Sequence, residues 1–174
     1  MDVMGLFDIT PLSWPGLLAV FTSGLIIGLE RQFSGKAVGI RTSVLICLGT
    51  YVFVRLGEVV HYGPGQDPTR VLSMVITGVG FLGAGVMFSR EGSIIGVTSA
   101  ATIWVLAAIG ATIGVGYLLA GVKISLVSVF ILVGITQAEV QIKALQRGVH
   151  QKFFLNKKRN EDQPDYPGSG SGDQ

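Results

Sequence analysis

The distribution of apolar and polar residues divides most of the chain into long stretches with few or no charges. These stretches are residues 12–29, 40–56, 69–88 and 94–136. Because crossing a hydrocarbon core of about 30 Å takes about 20 helical residues, each one is long enough to span a membrane. The last stretch contains one charge, Lys123, and has room for two spans joined near Gly114 to Gly116 or at Gly121. The pattern predicts an all-α, polytopic transmembrane helical bundle of about five spans.

The overall composition supports a membrane location. Of the 174 residues, 49% are hydrophobic and 14% are charged, and the mean hydropathy is +0.58, whereas a soluble domain carries about 25% charged residues. Cys47 is the single cysteine, which excludes a disulfide within one chain. No Lys or Arg precedes Arg31. The N-terminus therefore lacks the basic region of a cleaved signal peptide, and we expect the first span to be retained.

The basic residues predict the orientation of the bundle. With five spans, one side receives most of the 13 Lys and Arg residues, including Arg31, Lys36, Arg41, Arg90 and those that follow the last span. The other side receives Asp2, Asp8, Glu58 and Asp67. Because Lys and Arg are enriched in cytoplasmic loops, we predict an odd number of spans, with the N-terminus outside and the C-terminus in the cytoplasm.

The chain becomes polar after the last span. We divide it into a transmembrane domain at 1–137, a basic amphipathic cytoplasmic helix at 138–160 and a disordered tail at 161–174. The helix is predicted by apolar residues that recur every three or four positions between basic ones: Ile142, Leu145, Val149 and Phe153. Such a helix either lies on the anionic inner leaflet or continues the fifth span and packs on a partner. The Gly- and Ser-rich tail is typical of a flexible linker.

Four glycines lie close together in the third apolar stretch: Gly78, Gly80, Gly83 and Gly85. Glycine weakens a helix in water by about 1 kcal/mol relative to alanine, but in lipid it allows close helix packing. The glycines also fit a G-x-G-x-x-G nucleotide motif, which requires an amphipathic helix and a downstream acid. The flanks are apolar and no Asp or Glu falls between Gly92 and Ala138, so we favour helix packing, with this helix at the centre of the bundle.

A hydroxyl-rich segment opens the fourth predicted span. It contains Thr98, Ser99 and Thr102 and ends at Trp104, and we assign these four residues to helix packing. Hydroxyls in such a segment either bond to a neighbouring helix or return to the carbonyl four residues earlier on their own helix. We expect the local bond here.

Charged residues at the ends of the spans form the candidate ligand-binding site. They are Glu30, Arg31, Arg41 with the adjacent Thr42, Arg90 and Glu91. In the predicted topology they meet on the cytoplasmic side, where they either bind a ligand or only anchor helix ends. Arginine suits phosphate or carboxylate groups. Because the local charge is net positive, the residues favour an anion, a lipid headgroup or an internal ion pair over a cation pore.

The sequence gives no indication of catalysis. His61 and His150 fall on opposite sides of the predicted membrane, and no Ser or Cys lies in a nucleophile motif. No Asp, Glu or His interrupts the middle of a span, which argues against a relay of titratable groups through the bilayer. We expect neither an enzyme nor a cofactor, and we assign no metal ligands.

Four ordered motifs resemble the MgtC/SapB family of bacterial inner-membrane proteins. They are Gly28-Leu-Glu-Arg31, Gly39-Ile-Arg-Thr42, the glycine run Gly78 to Gly85 followed by Arg90-Glu-Gly92, and Gly96-Val-Thr-Ser-Ala-Ala-Thr-Ile-Trp104. The resemblance covers about residues 24–136 and implies a compact bundle of four or five helices in the cytoplasmic membrane. It also implies links to magnesium limitation and virulence through survival inside host cells. For some members it implies inhibition of the F-type ATP synthase or effects on phosphate uptake.

The chain departs from the family in two respects. Many members carry a soluble C-terminal domain, whereas this sequence continues for only a short distance beyond Thr136. Ser99 stands where the family usually has threonine, a change that keeps the hydroxyl group.

The sequence leaves two functions open, of which we favour the first. The first is magnesium- or phosphate-linked homeostasis by binding and regulating membrane partners. The second is a transporter or channel for Mg²⁺ or a small, phosphate-type anion. We expect membrane lipid, a membrane-protein partner and a second copy of the chain in a homodimer as partners, and no nucleic acid.

Overall fold

The protein consists of five helices and a short β-hairpin in the parts that the computed structural model describes, which are residues 8–60, 69–90 and 93–141. The elements are α1 (Trp14–Phe33), α2 (Ile40–Val60), α3 (Thr69–Val86), β1 (Phe88–Arg90), β2 (Ser93–Ile95), α4 (Val97–Gly114) and α5 (Leu118–Gln141). Residues up to Val133 belong to one compact unit, and a second unit begins at Gly134. The predicted all-helical membrane bundle is confirmed.

Four of the described helices are long and apolar enough to cross a membrane: α1, α2, α4 and α5. Helix α3 is apolar but shorter. The predicted turn between the last two helices is confirmed, since α4 ends at Gly114 and α5 begins at Leu118. Gly116 lies in that turn with a φ of +96°, a conformation that favours glycine because it has no Cβ. Of the predicted amphipathic helix, residues 142–160 lie outside the described residues, as does the tail.

Helix α1 begins where its sequence provides a cap. The hydroxyl of Ser13 accepts a hydrogen bond from the amide of Gly16 over 3.2 Å, and Pro15 occupies the first turn, where its missing N–H costs little. The phenol oxygen of Tyr51 on α2 accepts a hydrogen bond from the amide of Ser13 over 3.0 Å. The start of α1 is therefore tied to the middle of α2.

The core lies between α1, α2 and α4, which approach one another through small residues. A Cβ added to Gly24 on α1 would lie 2.7 Å from the Cα of Val44 on α2. On α4, a Cβ added to Gly110 would collide with the carbonyl oxygen of Cys47 and lie 2.9 Å from the Cβ of Thr50. These glycines allow backbone contacts that any side chain would prevent.

Helix α3 lies at the periphery, which corrects the prediction that the glycine-rich helix occupies the centre. Most of its residues are exposed within this chain, and Val79 and Gly83 are the buried ones among residues 70–86. A Cβ at Gly83 would sit 3.7 Å from the Cβ of Ala100, so α3 packs mainly on α4. The centre belongs instead to α4, whose uniformly apolar surface is buried on several sides.

The connection between α3 and α4 is a β-hairpin, which the sequence does not predict. Phe88 pairs with Ile95 and Arg90 with Ser93 in antiparallel register. The predicted span at 69–88 therefore ends too late, and the predicted span at 94–136 begins too early, because each includes part of the hairpin. Gly96 explains the break, since its φ is +94° and a Cβ there would collide with the carbonyl oxygen of Val86.

Candidate functional site

A buried arginine joins the end of α1 to the start of α4. The side chain of Arg31 lies in the last turn of α1 and is only 3% exposed. Its Nη2 donates a hydrogen bond to Oγ of Ser99 over 2.7 Å. Its Nε is buried and makes no hydrogen bond in the described structure. Because a guanidinium has five N–H donors, this one retains donor capacity beyond its bond to Ser99.

Glu30 lies beside Arg31 and is also nearly buried, with a side chain that is 10% exposed. Its Oε1 accepts a hydrogen bond from Oγ of Ser34 over 2.8 Å. Its Oε2 lies 4.0 Å from Nη1 of Arg31 and accepts no hydrogen bond from the described residues. We call Glu30, Arg31, Ser34 and Ser99 the Arg31 cluster. Its two charged groups are 4.0 Å apart, and Nε of Arg31 and Oε2 of Glu30 are both buried without a hydrogen bond from the described residues.

The sequence partly predicts the Arg31 cluster. Glu30 and Arg31 are predicted site residues, and the structure places them together. Ser99 is assigned to helix packing, with its hydroxyl expected to bond to its own helix, and that expectation is wrong because Arg31 is its partner. Thr102 follows the expectation, since its Oγ1 donates to the carbonyl oxygen of Thr98 over 2.8 Å. Ser34 is missed. It caps the end of α1 four residues after Glu30, and that spacing brings side chains together on one side of a helical turn.

Of the other predicted ligand-binding residues, the structure describes Arg41, Thr42 and Arg90. Arg41 and Thr42 are exposed on the first turn of α2, and Thr42 lines a groove whose lining residues do not include Arg31. Arg90 is the last residue of β1, and Glu91 lies outside the described residues. A single site that contains all six residues stays a prediction.

The residues assigned to helix packing also separate. An added Cβ at Gly83 would lie 3.8 Å from the indole of Trp104, so these two meet at the contact between α3 and α4. A Cβ at Gly78, Gly80 or Gly85 would find nothing within 4 Å. Their predicted role in packing would therefore involve a partner other than the described parts of this chain.

A groove of about 800 Å³ runs along the side of the bundle between α2 and α3, with Ile103 of α4 at its floor. We call it the lateral groove. Its walls are almost entirely apolar and include Thr42, Leu45, Gly49, Phe53, Met74, Gly78 and Leu82. The volume is sufficient for several large side chains of another molecule.

The described ranges contain no group of three or more His, Cys, Asp or Glu side chains placed to hold a metal ion. The carboxylate of the Arg31 cluster is Glu30 alone, beside a cation. Divalent cations such as Mg²⁺ prefer several oxygen ligands, so the cluster by itself suits an anion or a polar ligand better.

Residues 17–141 match the model of the family described as the MgtC family. The chain belongs to the MgtC family. The matched region contains the Arg31 cluster, the lateral groove and all five helices except the first residues of α1. No solved structure matches the chain.

Relatives in the MgtC family come from several bacteria. A protein of Escherichia coli K12 named "Putative magnesium transporter YhiD" is 42% identical over 125 residues, which cover 67% of this chain and 56% of the relative. "Protein MgtC" of Brucella abortus strain 2308 is 34% identical over 141 residues, which cover 79% of this chain and 58% of the relative. "Protein MgtC" of Salmonella typhimurium strain 14028s is 36% identical over 100 residues, or 58% and 42% of the two chains. The chain thus spans less than two thirds of these relatives.

Proposed function

We propose that this chain acts in magnesium-linked homeostasis of the bacterial inner membrane by binding and regulating other membrane proteins, without catalysing a reaction. The lateral groove carries this proposal, because its apolar walls suit a transmembrane helix of a partner. In lipid, helices associate through close packing, and glycines allow the backbones to approach. Gly49 and Gly78 line the groove from α2 and α3. The link to magnesium rests on the name of the relative in Escherichia coli.

Two glycine substitutions on α3 test this function. A Cβ at Gly78 or at Gly80 meets nothing within 4 Å, and leucine favours helix over glycine by roughly 0.8 kcal/mol, so both variants should fold. Gly78→Leu places a side chain in the groove, whereas Gly80 is not among its lining residues. We expect Gly78→Leu to lower recovery of the partner at least tenfold and Gly80→Leu to preserve it.

The measurement is quantitative co-purification from membranes at native abundance, together with growth at low magnesium. The proposal fails if the wild-type chain recovers no stoichiometric partner. It also fails if the two leucine variants recover the partner equally well. Circular dichroism and gel filtration of both variants serve as the folding control.

Transport of Mg²⁺ or a small anion is a second candidate function. It is favoured by the transporter name of the Escherichia coli relative and by the incompletely paired charges of Glu30 and Arg31. Purified protein in liposomes should then carry a flux of the ion that decreases on Glu30→Gln or Arg41→Ala. A flux equal to that of empty liposomes would exclude transport under the tested conditions.

We also propose that the chain forms a homodimer. The open surface of α3 at Gly85, where an added Cβ would meet nothing within 4 Å, would allow a second copy to approach closely. A native mass measurement that retains lipid should then show a dimer. A monomer peak alone would refute the dimer without affecting the other proposals.

The remaining proposals concern the cell. The chain would lie in the inner membrane with its N-terminus outside, as the basic residues predict. The family resemblance also implies an effect on survival inside host cells, which a deletion strain complemented with this chain would measure during infection. Equal survival with and without the gene would remove that part of the proposal.

A further inference from the structure

The first turn of α4 provides donors beside a buried cation. This helix has 18 residues, and Gly96, which precedes it, has no side chain that could cap its first amides. The amides at a helix N-terminus carry a partial positive charge and bind anions when other groups assist. Arg31 supplies such a group. Its side chain is only 3% exposed, and its Nη2 donates to the hydroxyl of Ser99, the third residue of the helix.

Arg31 has the capacity for another acceptor. Its Nε is buried and makes no hydrogen bond in the described parts of the chain. A buried donor without an acceptor is unfavourable, so an acceptor that reached Nε would stabilise the cluster. An oxyanion suits this position, because guanidinium groups bind planar and tetrahedral oxyanions through two N–H groups at once.

Glu30 narrows the kind of oxyanion. Its Oε2 is a buried acceptor without a hydrogen bond, 4.0 Å from Nη1 of Arg31. An anion without a proton would meet this carboxylate as a like charge, which is strongly unfavourable in a low-dielectric site. An anion that carries an O–H group can donate that hydrogen to Oε2 and present its other oxygens to Arg31 and the helix amides.

We propose that the Arg31 cluster and the first turn of α4 form a binding site for an oxyanion that carries a proton, such as hydrogenphosphate or the monoanion of a phosphate monoester. Lys36 is exposed and its backbone amide donates to the carbonyl oxygen of Arg31 over 2.9 Å, so it contributes a positive charge close to the cluster in the chain. The proposal assigns a ligand class to the cluster discussed under the proposed function. It does not depend on the lateral groove.

Inorganic phosphate and sulfate are matched probes for this site. Both are tetrahedral, but sulfate has no proton at neutral pH whereas phosphate keeps at least one. We expect the full chain in lipid nanodiscs to bind phosphate at least tenfold more tightly than sulfate, measured by calorimetric titration at pH 7. Equal affinities, or no binding of either anion, would overturn the proposal.

Substitutions locate the discrimination in Glu30. Glu30→Gln replaces an acceptor-only carboxylate by an amide that can donate, so sulfate affinity should rise about tenfold and the preference for phosphate should disappear. Arg31→Lys should weaken the binding of both phosphate and sulfate. Lys36→Gln is the control, because it should lower both affinities by a similar, small factor and leave their ratio unchanged. A phosphate preference that persists in Glu30→Gln would refute the role of the carboxylate.

Two lipid compositions distinguish a soluble anion from a headgroup. Phosphatidic acid is a phosphate monoester with a second pKa of about 6 or above, whereas the phosphodiester of phosphatidylglycerol has no proton to donate. If the headgroup is the ligand, phosphatidic acid nanodiscs should abolish phosphate binding and phosphatidylglycerol nanodiscs should not. If the ligand is soluble, both should bind phosphate equally. Groove variants such as Gly78→Leu should leave all these affinities unchanged, so failure here is distinguishable from failure of the partner hypothesis.

Discussion

Two buried serines show how differently the same side chain is used in this bundle. Ser99 accepts a hydrogen bond from the guanidinium of Arg31 over 2.7 Å. Ser23 is completely buried on α1, but its hydroxyl makes no hydrogen bond in the described structure. Removing an acceptor from a buried charge leaves that charge unpaired, whereas removing an unused hydroxyl removes a cost. The two positions therefore provide a matched pair.

We expect Ser99→Ala to destabilise the protein by about 1–3 kcal/mol, because Nη2 of Arg31 loses its acceptor. Ser23→Ala should change stability by less than about 0.5 kcal/mol or increase it slightly. Ser99→Thr, which retains the hydroxyl, should remain close to the wild type. Unfolding in mixed micelles by a denaturing detergent measures all three. Equal losses from the two alanine variants would show that the Arg31 bond contributes nothing specific.

At the level of residues, the sequence identifies the charged side chains but not their partners. Glu30 and Arg31 are recognisable because they directly follow a long stretch without charges. Ser99 is 68 positions away from Arg31, and a hydroxyl in a helix usually has its own backbone as a nearby acceptor. Only the packing of α1 against α4 brings a cation to Ser99. Local preference therefore predicts Thr102 correctly and Ser99 incorrectly.

Glycines act differently on different helices. On α4, Gly110 lies against the backbone of α2 at Cys47, so the absence of a side chain is required for the contact. On α3, Gly80 faces open space, so a side chain at this position would contact no described part of this chain. Glycine thus permits a close helix contact at Gly110, whereas at Gly80 its effect within this chain is to lower the helix propensity.

Alanine substitutions should separate these two effects. Gly110→Ala should destabilise by about 1–3 kcal/mol, because its Cβ would force α2 and α4 apart. Gly80→Ala should stabilise a monomer by up to about 1 kcal/mol through helix propensity. The thermal midpoint in detergent is the measurement for both. A loss at Gly80 as large as that at Gly110 would contradict the open face and indicate a contact with a second copy.

The elements themselves were mostly predictable from apolar length. The starts of α2 and α3 and the turn after Gly114 follow from the positions of charges and glycines. The hairpin at Phe88 to Ile95 did not, because a three-residue strand has too few positions for a pattern of alternation to emerge. The position of α3 in the bundle was also not predicted, because the number of glycines on a helix does not show whether another helix of the chain packs against them.

The whole molecule has a topology that depends on whether α3 crosses the membrane. The basic residues favour an odd number of spans, but four described helices have the length and hydropathy of a span and α3 is shorter. If α3 crosses, the connection at β1 lies on the same side as the loop after α1. If it does not, the two lie on opposite sides.

Single cysteines distinguish these topologies. Asp8, Lys36 and Ser89 are exposed, and replacing each with cysteine in a Cys47→Ser background gives three reporters. With five spans, a membrane-impermeant thiol reagent should label Asp8→Cys in intact cells, and Lys36→Cys and Ser89→Cys only after permeabilisation. Labelling of Ser89→Cys in intact cells would show that α3 does not cross. Labelling of Lys36→Cys in intact cells would show that the orientation in the membrane is opposite to the predicted one.

The sequence by itself determined that this is a helical membrane protein, where most of its helices lie and which charges stand at their ends. These are properties of consecutive residues, because the cost of placing a charge or an unpaired backbone in lipid is local. The tertiary structure decided that Arg31 bonds to Ser99, that α4 and not α3 lies at the centre, and that a groove opens between α2 and α3. Those features depend on which helix faces meet. In a chain that is apolar on nearly every face, hydrophobic pattern does not specify that choice, and the close fit of small residues does.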